Sequence, residues 1–563
     1  QALDLMPDDP RIIHALAEVM KRQGNYGEAY RHFRGLHDRG ESSHYVQGNL
    51  LFCLRNMPQE TCPPETEQHA VEYLDFVEVE HNELAPFIAR LIKQRYGLEQ
   101  ESAHLNLGTL AEDDLFMKAL KTLYFTDPAM EKVLVQVRKH LLVESLVSSS
   151  LDSRWVNLVA GIALHNAGNE YVHPIDPEEQ EMVKGLEELL CIRLSCKGWR
   201  QEDILGLILL YAMYKPLHAL SAAESLTKYP MDQWDQTARP VLERTLLDPL
   251  DEMRRARSIE SLSEIHDPVS LAVQMQYEEN PYPRWLSLNV MDAIPPWQVL
   301  QNDLPGFRAP RFLHNGDIRI LVAGCGTGRQ ALQVASLHRD GTVLAVDISR
   351  RSLAYAQRMA ERYDIRNVEF LQADILDLDK LDRDFHMIQC SGVLHHMKEP
   401  KAGWAVLRRI LAPKGLMKIG LYSEAARRHI TSARSIIRRL GLKPVADDIR
   451  RFRSIVMIGE LGEVVQRLLR SPDFYGMSDC RDLLFHVQEH HFTVGQIGRI
   501  CDELDLVFLG FVNLMPKIRQ TYRFMFPSDS RMTDLTHWET FENILPGTFS
   551  RMYNFWCQAR ELH

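Results

Sequence analysis

Three glycines and a later aspartate form the stretch of the chain that is best suited to hold a ligand. Gly324, Gly326 and Gly328 follow the short apolar run 318–323. Glycine adopts backbone angles that are closed to other residues and lets a ligand approach the main chain without meeting a Cβ. Asp347 ends a second apolar run nineteen positions after Gly328, where its carboxylate can accept hydrogen bonds from two ribose hydroxyls. This spacing predicts a strand, a glycine turn, a helix and a second strand around a nucleoside.

The turn differs from the dinucleotide-binding fingerprint at one position. That fingerprint reads G-x-G-x-x-G, and its third glycine would stand where this chain has Arg329. The helix after the turn still points its N-terminal amides at the ligand, which suits a carboxylate. S-adenosylmethionine is therefore a better candidate than a dinucleotide. A tight turn in some other α/β protein is the alternative.

Three more predicted strands follow in order, and polar residues stand where they end. After the third strand, 368–372, Asp374 and Ile375 are placed to hold an adenine amino group. The fourth strand, 385–390, leads into Ser391, and the fifth strand covers 416–422. The predicted cofactor-binding residues are Gly324, Cys325, Gly326, Gly328, Asp347, Ile348, Asp374, Ile375 and Ser391.

This succession resembles the class I S-adenosylmethionine-dependent methyltransferases, from the Ala-Gly-Cys-Gly-Thr-Gly turn through Asp347 and Asp374 to the Ser-Gly-Val-Leu-His-His-Met segment. The resemblance covers residues 270–427 closely and the C-terminal strands more loosely. It implies an α/β fold with a Rossmann-like core, a seven-stranded, mostly parallel sheet, and S-adenosylmethionine as the cofactor. Residues 506–511 are predicted as the sixth strand and residues 521–526 as an antiparallel seventh.

Two segments are candidates for contact with the methyl acceptor. Residues 277–285 contain two prolines and three aromatic residues, a composition that suits either the wall of a pocket or a packed interdomain linker. Two histidines follow the fourth strand at the rim where this fold places chemistry, with a structural role as the alternative. The predicted catalytic residues are His395, His396, Tyr277, Glu278 and Tyr282.

Residues 486–490 read His-Val-Gln-Glu-His, which matches the H-x-x-E-H pattern of some zinc enzymes. On a helix this pattern supplies two zinc ligands and a general base. No third ligand can be named from the sequence, so we favour packing or a role in lining the acceptor pocket. We predict no metal site, and a zinc hydrolase is the outlying alternative.

The chain has 563 residues, enough for several domains with separate cores. Residues 10–37 fit one tetratricopeptide repeat, with Ala2 and Pro7 in the tail of a preceding repeat, and residues 55–66 are predicted as a linker. The predicted segments are a tetratricopeptide segment (1–54), a helical middle or dimerisation region (67–265), the S-adenosylmethionine-binding core (266–427), a helical insertion on the acceptor side (428–505), and the final strands with an aromatic tail (506–563).

Composition narrows the range of partners. The net charge of −11 gives no reason to expect nucleic-acid binding. The nine cysteines include no C-x-x-C pair, and no apolar run could span a bilayer. We therefore predict reduced thiols, no membrane insertion and a cytoplasmic location.

The arginines clustered at 427–453 are expected on a solvated helix face. The start at Gln1, within a helical pattern, predicts a piece of a longer protein.

The order of these segments resembles the bacterial tetratricopeptide-containing methyltransferases and the rickettsial-type protein-lysine methyltransferases. The resemblance implies methyl transfer to the lysines of a protein or peptide substrate, and a possible homodimer through the helical region. A small-molecule methyltransferase and a catalytically silent cofactor-binding scaffold are the alternatives.

Overall fold

The computed structural model describes residues 8–58, 65–98, 106–196, 198–314, 317–338 and 340–560. Ala2 and Pro7 lie outside these ranges, as do residues 59–64 of the predicted linker at 55–66. Within the described ranges the chain forms helices and no β-strand before Ile318. None of the helices in these ranges is long and apolar enough to cross a membrane.

The helical region begins with a closely packed helix pair. Asp9 caps the first helix by accepting a hydrogen bond from the backbone N–H of Arg11, and Ala17 and Ala29 are fully buried together with Phe33. This pair fits the predicted repeat, whose family assignment stays a prediction. The helices before the sheet are α1 (Pro10–Arg22), α2 (Tyr26–Asp38), α3 (His44–Asn56), α4 (Thr66–Tyr73), α5 (Ala85–Tyr96), α6 (Leu107–Ala111), α7 (Asp114–Thr122), α8 (Pro128–Val147), α9 (Val156–Gly168), α10 (Pro177–Ser195), α11 (Gln201–Ala212), α12 (Ala223–Thr227), α13 (Arg239–Leu242), α14 (Asp248–Ala256), α15 (Pro268–Glu279) and α16 (Pro296–Asp303).

The second half of the chain forms one sheet that is covered by helices. Its strands are β1 (Ile318–Ala323), β2 (Gly341–Asp347), β3 (Val368–Gln372), β4 (Phe385–Ser391), β5 (Leu411–Tyr422), β6 (Leu506–Phe511) and β7 (Met552–Ala559). Their order is β3-β2-β1-β4-β5-β7-β6, and β7 runs antiparallel to both of its neighbours. This sheet confirms the predicted seven-stranded, mostly parallel Rossmann-like fold. The helices around it are α17 (Arg329–Leu337), α18 (Arg350–Arg362), α19 (Pro400–Arg409), α20 (Arg428–Arg439), α21 (Ala446–Ile458), α22 (Glu463–Gln466), α23 (Met477–Phe485), α24 (Val494–Glu503), α25 (Pro516–Met525) and α26 (Leu535–Ile544).

The predicted seventh strand at 521–526 is wrong. Those residues end α25, which begins with Pro516 at its first turn and buries Tyr522, so the β-favouring residues there serve a helix with one buried face. The seventh strand is β7, within the predicted aromatic tail. Tyr553 and Phe555 on one face of β7, and Trp556 on the other, are fully buried, as expected for a strand inside a covered sheet.

The arginines at 427–453 form the predicted solvated face only in part. Arg428, Arg438, Arg439 and Arg451 are exposed, whereas Arg427 and Arg453 are buried. Arg453 of α21 is fully buried and forms an ion pair with Glu131 of α8, with an Nη2–Oε2 distance of 2.6 Å. Its other N–H groups donate to the carbonyl oxygens of Val172 and Phe474. This one guanidinium therefore ties the inserted helices to the middle helical region.

Replacing Arg453 with methionine is expected to destabilise the protein strongly. The change leaves the buried Glu131 carboxylate without a cation, and breaking a buried ion pair in this way costs about 3–5 kcal/mol. Urea unfolding followed by circular dichroism would measure the loss. The double variant Arg453→Met with Glu131→Leu removes both charges and should recover most of the stability. A double variant as unstable as the single one would show that the backbone contacts of Arg453 matter more than its charge.

Candidate functional site

The carboxyl ends of β1, β2, β3 and β4 surround one cavity of about 380 Å³. Open α/β sheets bind their ligands at this edge. Of the predicted cofactor residues, Gly328 is not among those that line the cavity, because it lies behind the turn at the start of α17. The predicted residues that do line it are Gly324, Cys325, Gly326, Asp347, Ile348, Asp374, Ile375 and Ser391.

The turn after β1 requires glycine for its shape and for its packing. Gly324, Gly326 and Gly328 have φ angles of 72°, 54° and 85°, in the left-handed region that other residues rarely adopt. A Cβ added at Gly324 would also collide with the side chain of Val393, and one added at Gly326 would collide with the carbonyl oxygen of Tyr282. The turn therefore presents bare backbone to the cavity.

Residues 277–285 are fastened directly to this turn. The backbone N–H of Thr327 donates to the carbonyl oxygen of Tyr282 at 3.1 Å. The Thr327 hydroxyl donates to the carbonyl oxygen of Pro283 at 2.5 Å. The indole N–H of Trp285 donates to the Thr327 hydroxyl at 3.0 Å. The segment is thus part of the cavity wall, to which Tyr277 and Tyr282 both contribute.

Asp347 is held at the end of β2 by two backbone N–H groups. Its Oδ2 accepts a hydrogen bond from Gly326 at 2.7 Å, and its Oδ1 accepts one from Ser349 at 2.9 Å. Burial raises the pKa of the Asp347 carboxyl to about 6, although these bonds oppose the shift. Each carboxylate oxygen keeps a second lone pair, so the group can still accept two hydroxyl hydrogens from a ligand in the cavity.

Tyr277 connects the cavity to a buried carboxyl group that the sequence did not single out. Its hydroxyl donates to Oδ1 of Asp482 at 2.7 Å and lies 3.1 Å from Nε2 of His486. The backbone N–H of Gln488 donates to Nδ1 of His486, so the imidazole proton is on Nε2 and points to the tyrosine oxygen. Burial raises the pKa of Asp482 to about 7.

His396 presents an unprotonated nitrogen. Its Nδ1 lies 2.7 Å from the carbonyl oxygen of Gln488, which can only accept, so Nδ1 carries the proton and Nε2 does not. Burial lowers the pKa of His396 to about 4, so the ring is neutral at pH 7. The ring stacks on that of His486 with the centroids 3.6 Å apart, and it lines the cavity.

Together these contacts define the chemistry of one end of the cavity. The Tyr277 oxygen donates its own hydrogen to Asp482, receives one from His486 and retains one lone pair. The Nε2 of His396 offers a second lone pair. Both groups can accept hydrogen bonds and neither has a hydrogen left to donate. This end therefore suits a ligand group that is rich in donors, such as an amine or an ammonium.

Two of the predicted catalytic residues are not among those that line the cavity. Glu278 faces α18, where its carboxylate accepts a hydrogen bond from the backbone N–H of Arg350 at 2.6 Å. His395 is fully buried against the ring of Tyr422, with the centroids 3.7 Å apart. Adjacent residues at the end of a helix or strand point in different directions, so Tyr277 and His396 line the cavity while their neighbours Glu278 and His395 do not. The sequence pattern does not show which member of each pair faces the ligand.

The H-x-x-E-H pattern does not form the arrangement that a zinc enzyme needs. Helix α23 ends at Phe485, so residues 486–490 are not helical and their two histidines do not share a helix face. Glu489 is engaged instead by the guanidinium groups of Arg427 and Arg434, at 2.9 Å and 2.7 Å. The segment borders the same end of the cavity through Gln488, whose backbone sets the tautomers of both stacked imidazoles.

A different trio, His396, Asp482 and His486, offers atoms that all lie within 4.8 Å of one another, close enough to bind a metal ion. The hydrogen bonds oppose this use. His486 already accepts at Nδ1, so a metal on its Nε2 would require an imidazolate. Asp482 and His486 stand four residues apart at the end of α23, and this spacing is the one signal in the sequence that linked them.

Comparison with known proteins agrees with this geometry. Residues 320–415 match a family model described as a methyltransferase domain. The chain is 31% identical over 261 residues to an uncharacterised protein of Synechococcus sp., a match that covers 44% of this chain and 60% of that protein. It is 33% identical over 112 residues to the 27-O-demethylrifamycin SV methyltransferase of Amycolatopsis mediterranei, covering 19% of this chain and 39% of that enzyme.

Among solved structures, PKMT2 from Rickettsia typhi in complex with AdoHcy aligns with a TM-score of 0.37 and 17% sequence identity. The alignment covers 48% of this chain and 55% of that one. The chain spans about 60% of the length of the Synechococcus relative and less of the Amycolatopsis enzyme.

Proposed function

We infer that the chain, which contains a class I S-adenosylmethionine-dependent methyltransferase domain, methylates an amine of a protein side chain, with lysine favoured. The observation that carries the choice of acceptor is the end of the cavity formed by Tyr277 and His396. Its two free lone pairs match the N–H donors of a lysine side chain.

The cavity residues fit the cofactor. The bare glycine turn admits a ligand against the backbone, and the two remaining lone pairs of Asp347 match the ribose hydroxyls. Asp374, held by the backbone N–H of Leu376, lies at the neighbouring strand end where an adenine is expected. Arg329 and Gln330 line the cavity at the start of α17, close to where a methionine carboxylate would meet the helix amides.

S-adenosylmethionine supplies an electrophilic methyl group, whose bond to sulfur breaks as the bond to the acceptor nitrogen forms. Tyr277 and His396 accept hydrogen bonds from that nitrogen and so aim its lone pair, and positioning of this kind accounts for much of the rate in such displacements. A lysine ammonium must first lose a proton. Tyr277 can take that proton while passing its own to Asp482, whose pKa near 7 suits a base at neutral pH.

A protein acceptor is also favoured by the rest of the chain. The helical region lies against the wall of the cofactor domain, where the backbone N–H of Val290 donates to the carbonyl oxygen of Glu78 and that of His81 donates to the hydroxyl of Ser287. A small acceptor would not need so extended a second surface. The relatives include methyltransferases whose names give small-molecule substrates, so a small acceptor is the second candidate.

Transfer of a labelled methyl group would decide between the two. The purified protein would be incubated with methyl-tritiated S-adenosylmethionine and a lysate divided into fractions above and below about 10 kDa. We expect label in the large fraction, on lysine after acid hydrolysis, and none when Tyr277→Phe replaces the parent. Label confined to the small fraction would overturn the protein acceptor. The absence of label in both, together with intact cofactor binding, would favour a silent scaffold.

A further inference from the structure

A second cavity, of about 470 Å³, lies beside the first. The two share Tyr282, Pro283 and Arg329, so the segment that covers the glycine turn contributes to the walls of both. The second cavity is walled by parts of the chain that are far apart in sequence, including Arg55 and Glu83 of the helical region and Asp479 of α23. Its volume falls within the range of small-ligand sites, about 300–1,000 Å³.

Most charged groups of this cavity are already paired with each other. Arg55 is paired with Glu83, Arg329 with Glu80, and Arg551 with Asp473. Three guanidinium groups are thus neutralised by three carboxylates. Because these arginines are occupied, an anionic ligand would have to displace a carboxylate in order to bind them.

Two residues of the lining, Asp479 and Arg284, have no ion pair with any residue in the described part of the chain. Asp479 is 5% exposed. Within the described ranges, the carboxylate of Asp479 accepts two long hydrogen bonds, from the backbone N–H of Arg284 at 3.4 Å and from the hydroxyl of Tyr124 at 3.5 Å. The guanidinium of Arg284 turns away, 5.0 Å from the ring centroid of Tyr355.

A buried carboxylate without a cation is unfavourable in a folded protein, because burial removes its hydration and nothing replaces it. Burial together with the nearby carboxylates of Asp473 and Glu170 accordingly raises the pKa of Asp479 well above its ordinary value. A cation that entered the cavity would favour the ionised form of Asp479, the one carboxyl group of the described lining without an ion pair. Three neutral pairs surround it, and the guanidinium of Arg284 lies over the ring of Tyr355.

We propose that the second cavity binds a cationic side chain, lysine or arginine, of the protein that presents the methyl acceptor, with Asp479 as its counter-ion. The identity of that protein rests on the proposed function. The assignment of a cation site to this cavity does not rest on the proposed function, because the charge arrangement of the cavity is independent of methyl transfer. Its position next to the cofactor cavity suits a residue close in sequence to the acceptor, since neighbouring residues of an extended chain lie about 3.3–3.6 Å apart per position.

The probe for this site is N-acetyl-L-arginine methylamide, whose guanidinium is not the proposed methyl acceptor. Its neutral isostere is N-acetyl-L-citrulline methylamide. Both would be titrated by calorimetry into the protein saturated with S-adenosylhomocysteine. We expect the arginine probe to bind at least about tenfold more tightly than the citrulline probe, because only the former supplies a charge to Asp479. Equal binding of the two probes would overturn the proposal.

Two isosteric variants locate the probe. Asp479→Asn should weaken the arginine probe at least about tenfold, whereas Asp482→Asn, one helical turn along α23 and facing Tyr277, should change its affinity less than about twofold. The reverse order would place the cation at the acceptor end and overturn the proposal. Unchanged binding of S-adenosylhomocysteine would confirm that both variants fold. Failure of the labelled-methyl experiment with these results intact would count against the methyltransferase activity alone.

Discussion

Replacing Asp347 with alanine is expected to weaken S-adenosylmethionine binding by roughly 10²–10⁴-fold. The carboxylate is held by Gly326 and Ser349 so that two lone pairs remain for the ribose. A hydrogen bond to a charged group contributes about 1.5–3 kcal/mol, and two are lost. Calorimetric titration of the cofactor and of its demethylated product would measure the change. Asp379→Ala, an exposed aspartate of the same domain, is the control.

The same experiment has a pH signature. The pKa of the Asp347 carboxyl is raised to about 6 by burial, so it becomes protonated as the pH falls below 6. Because the ionised form accepts the ribose hydroxyls more strongly, the dissociation constant should be flat above pH 7 and rise about tenfold per unit below pH 6. In Asp347→Ala this dependence should vanish. A parent protein whose affinity does not change between pH 7 and pH 5 would argue against Asp347 as the ribose ligand.

Replacing Asp482 with asparagine should slow methyl transfer by about 10²–10⁴-fold, the usual contribution of a positioned base. Asparagine keeps the size of the side chain but cannot take the proton that Tyr277 passes on. Cofactor affinity should stay within about twofold, because Asp482 is not among the residues that line the cofactor cavity. Single-turnover rates with a labelled cofactor would separate the two quantities.

The pH profile of the rate distinguishes a proton acceptor from a merely structural residue. Burial raises the pKa of Asp482 to about 7, and only the ionised carboxylate can accept a proton. The rate constant of the parent should therefore rise about tenfold per unit up to pH 7 and level off above it. Asp482→Asn should lose this step, whereas Asp502→Asn, an exposed residue of α24, should retain it. A step that survives in Asp482→Asn would assign the proton to another group.

The cofactor side of the site could be predicted because its parts are close together in the chain. The glycine turn and Asp347 belong to one strand-turn-helix-strand unit, in which local geometry alone brings the residues together. The strands that follow each end at the same edge of a parallel sheet, so the positions of Asp374 and Ser391 followed from their order.

The acceptor side could not be assembled in the same way. Tyr277 meets Asp482 and His486 across 205 and 209 positions of sequence, and no local period connects them. The H-x-x-E-H pattern at 486–490 pairs His486 with His490. The spacing that matters in the structure is the one between Asp482 and His486. Strand β7 did carry a signal, because Tyr553, Phe555, Cys557 and Ala559 place apolar residues at alternate positions. The many aromatic residues of this segment favoured an aromatic tail after the last strand instead.

The position of β7 in the sheet also determines when the edge of β5 can be paired during synthesis on the ribosome. β7 lies between β5 and β6 in the sheet. In the sequence, however, about 130 residues separate the end of β5 at Tyr422 from the start of β7 at Met552. Because synthesis proceeds at about 5–20 residues per second, synthesis of β7 begins roughly 6–26 s after that of β5 ends. Until then the backbone edge of β5 that pairs with β7 stays uncovered. During that interval the nascent chain exposes an unpaired strand edge, which is the kind of surface that chaperones protect from aggregation.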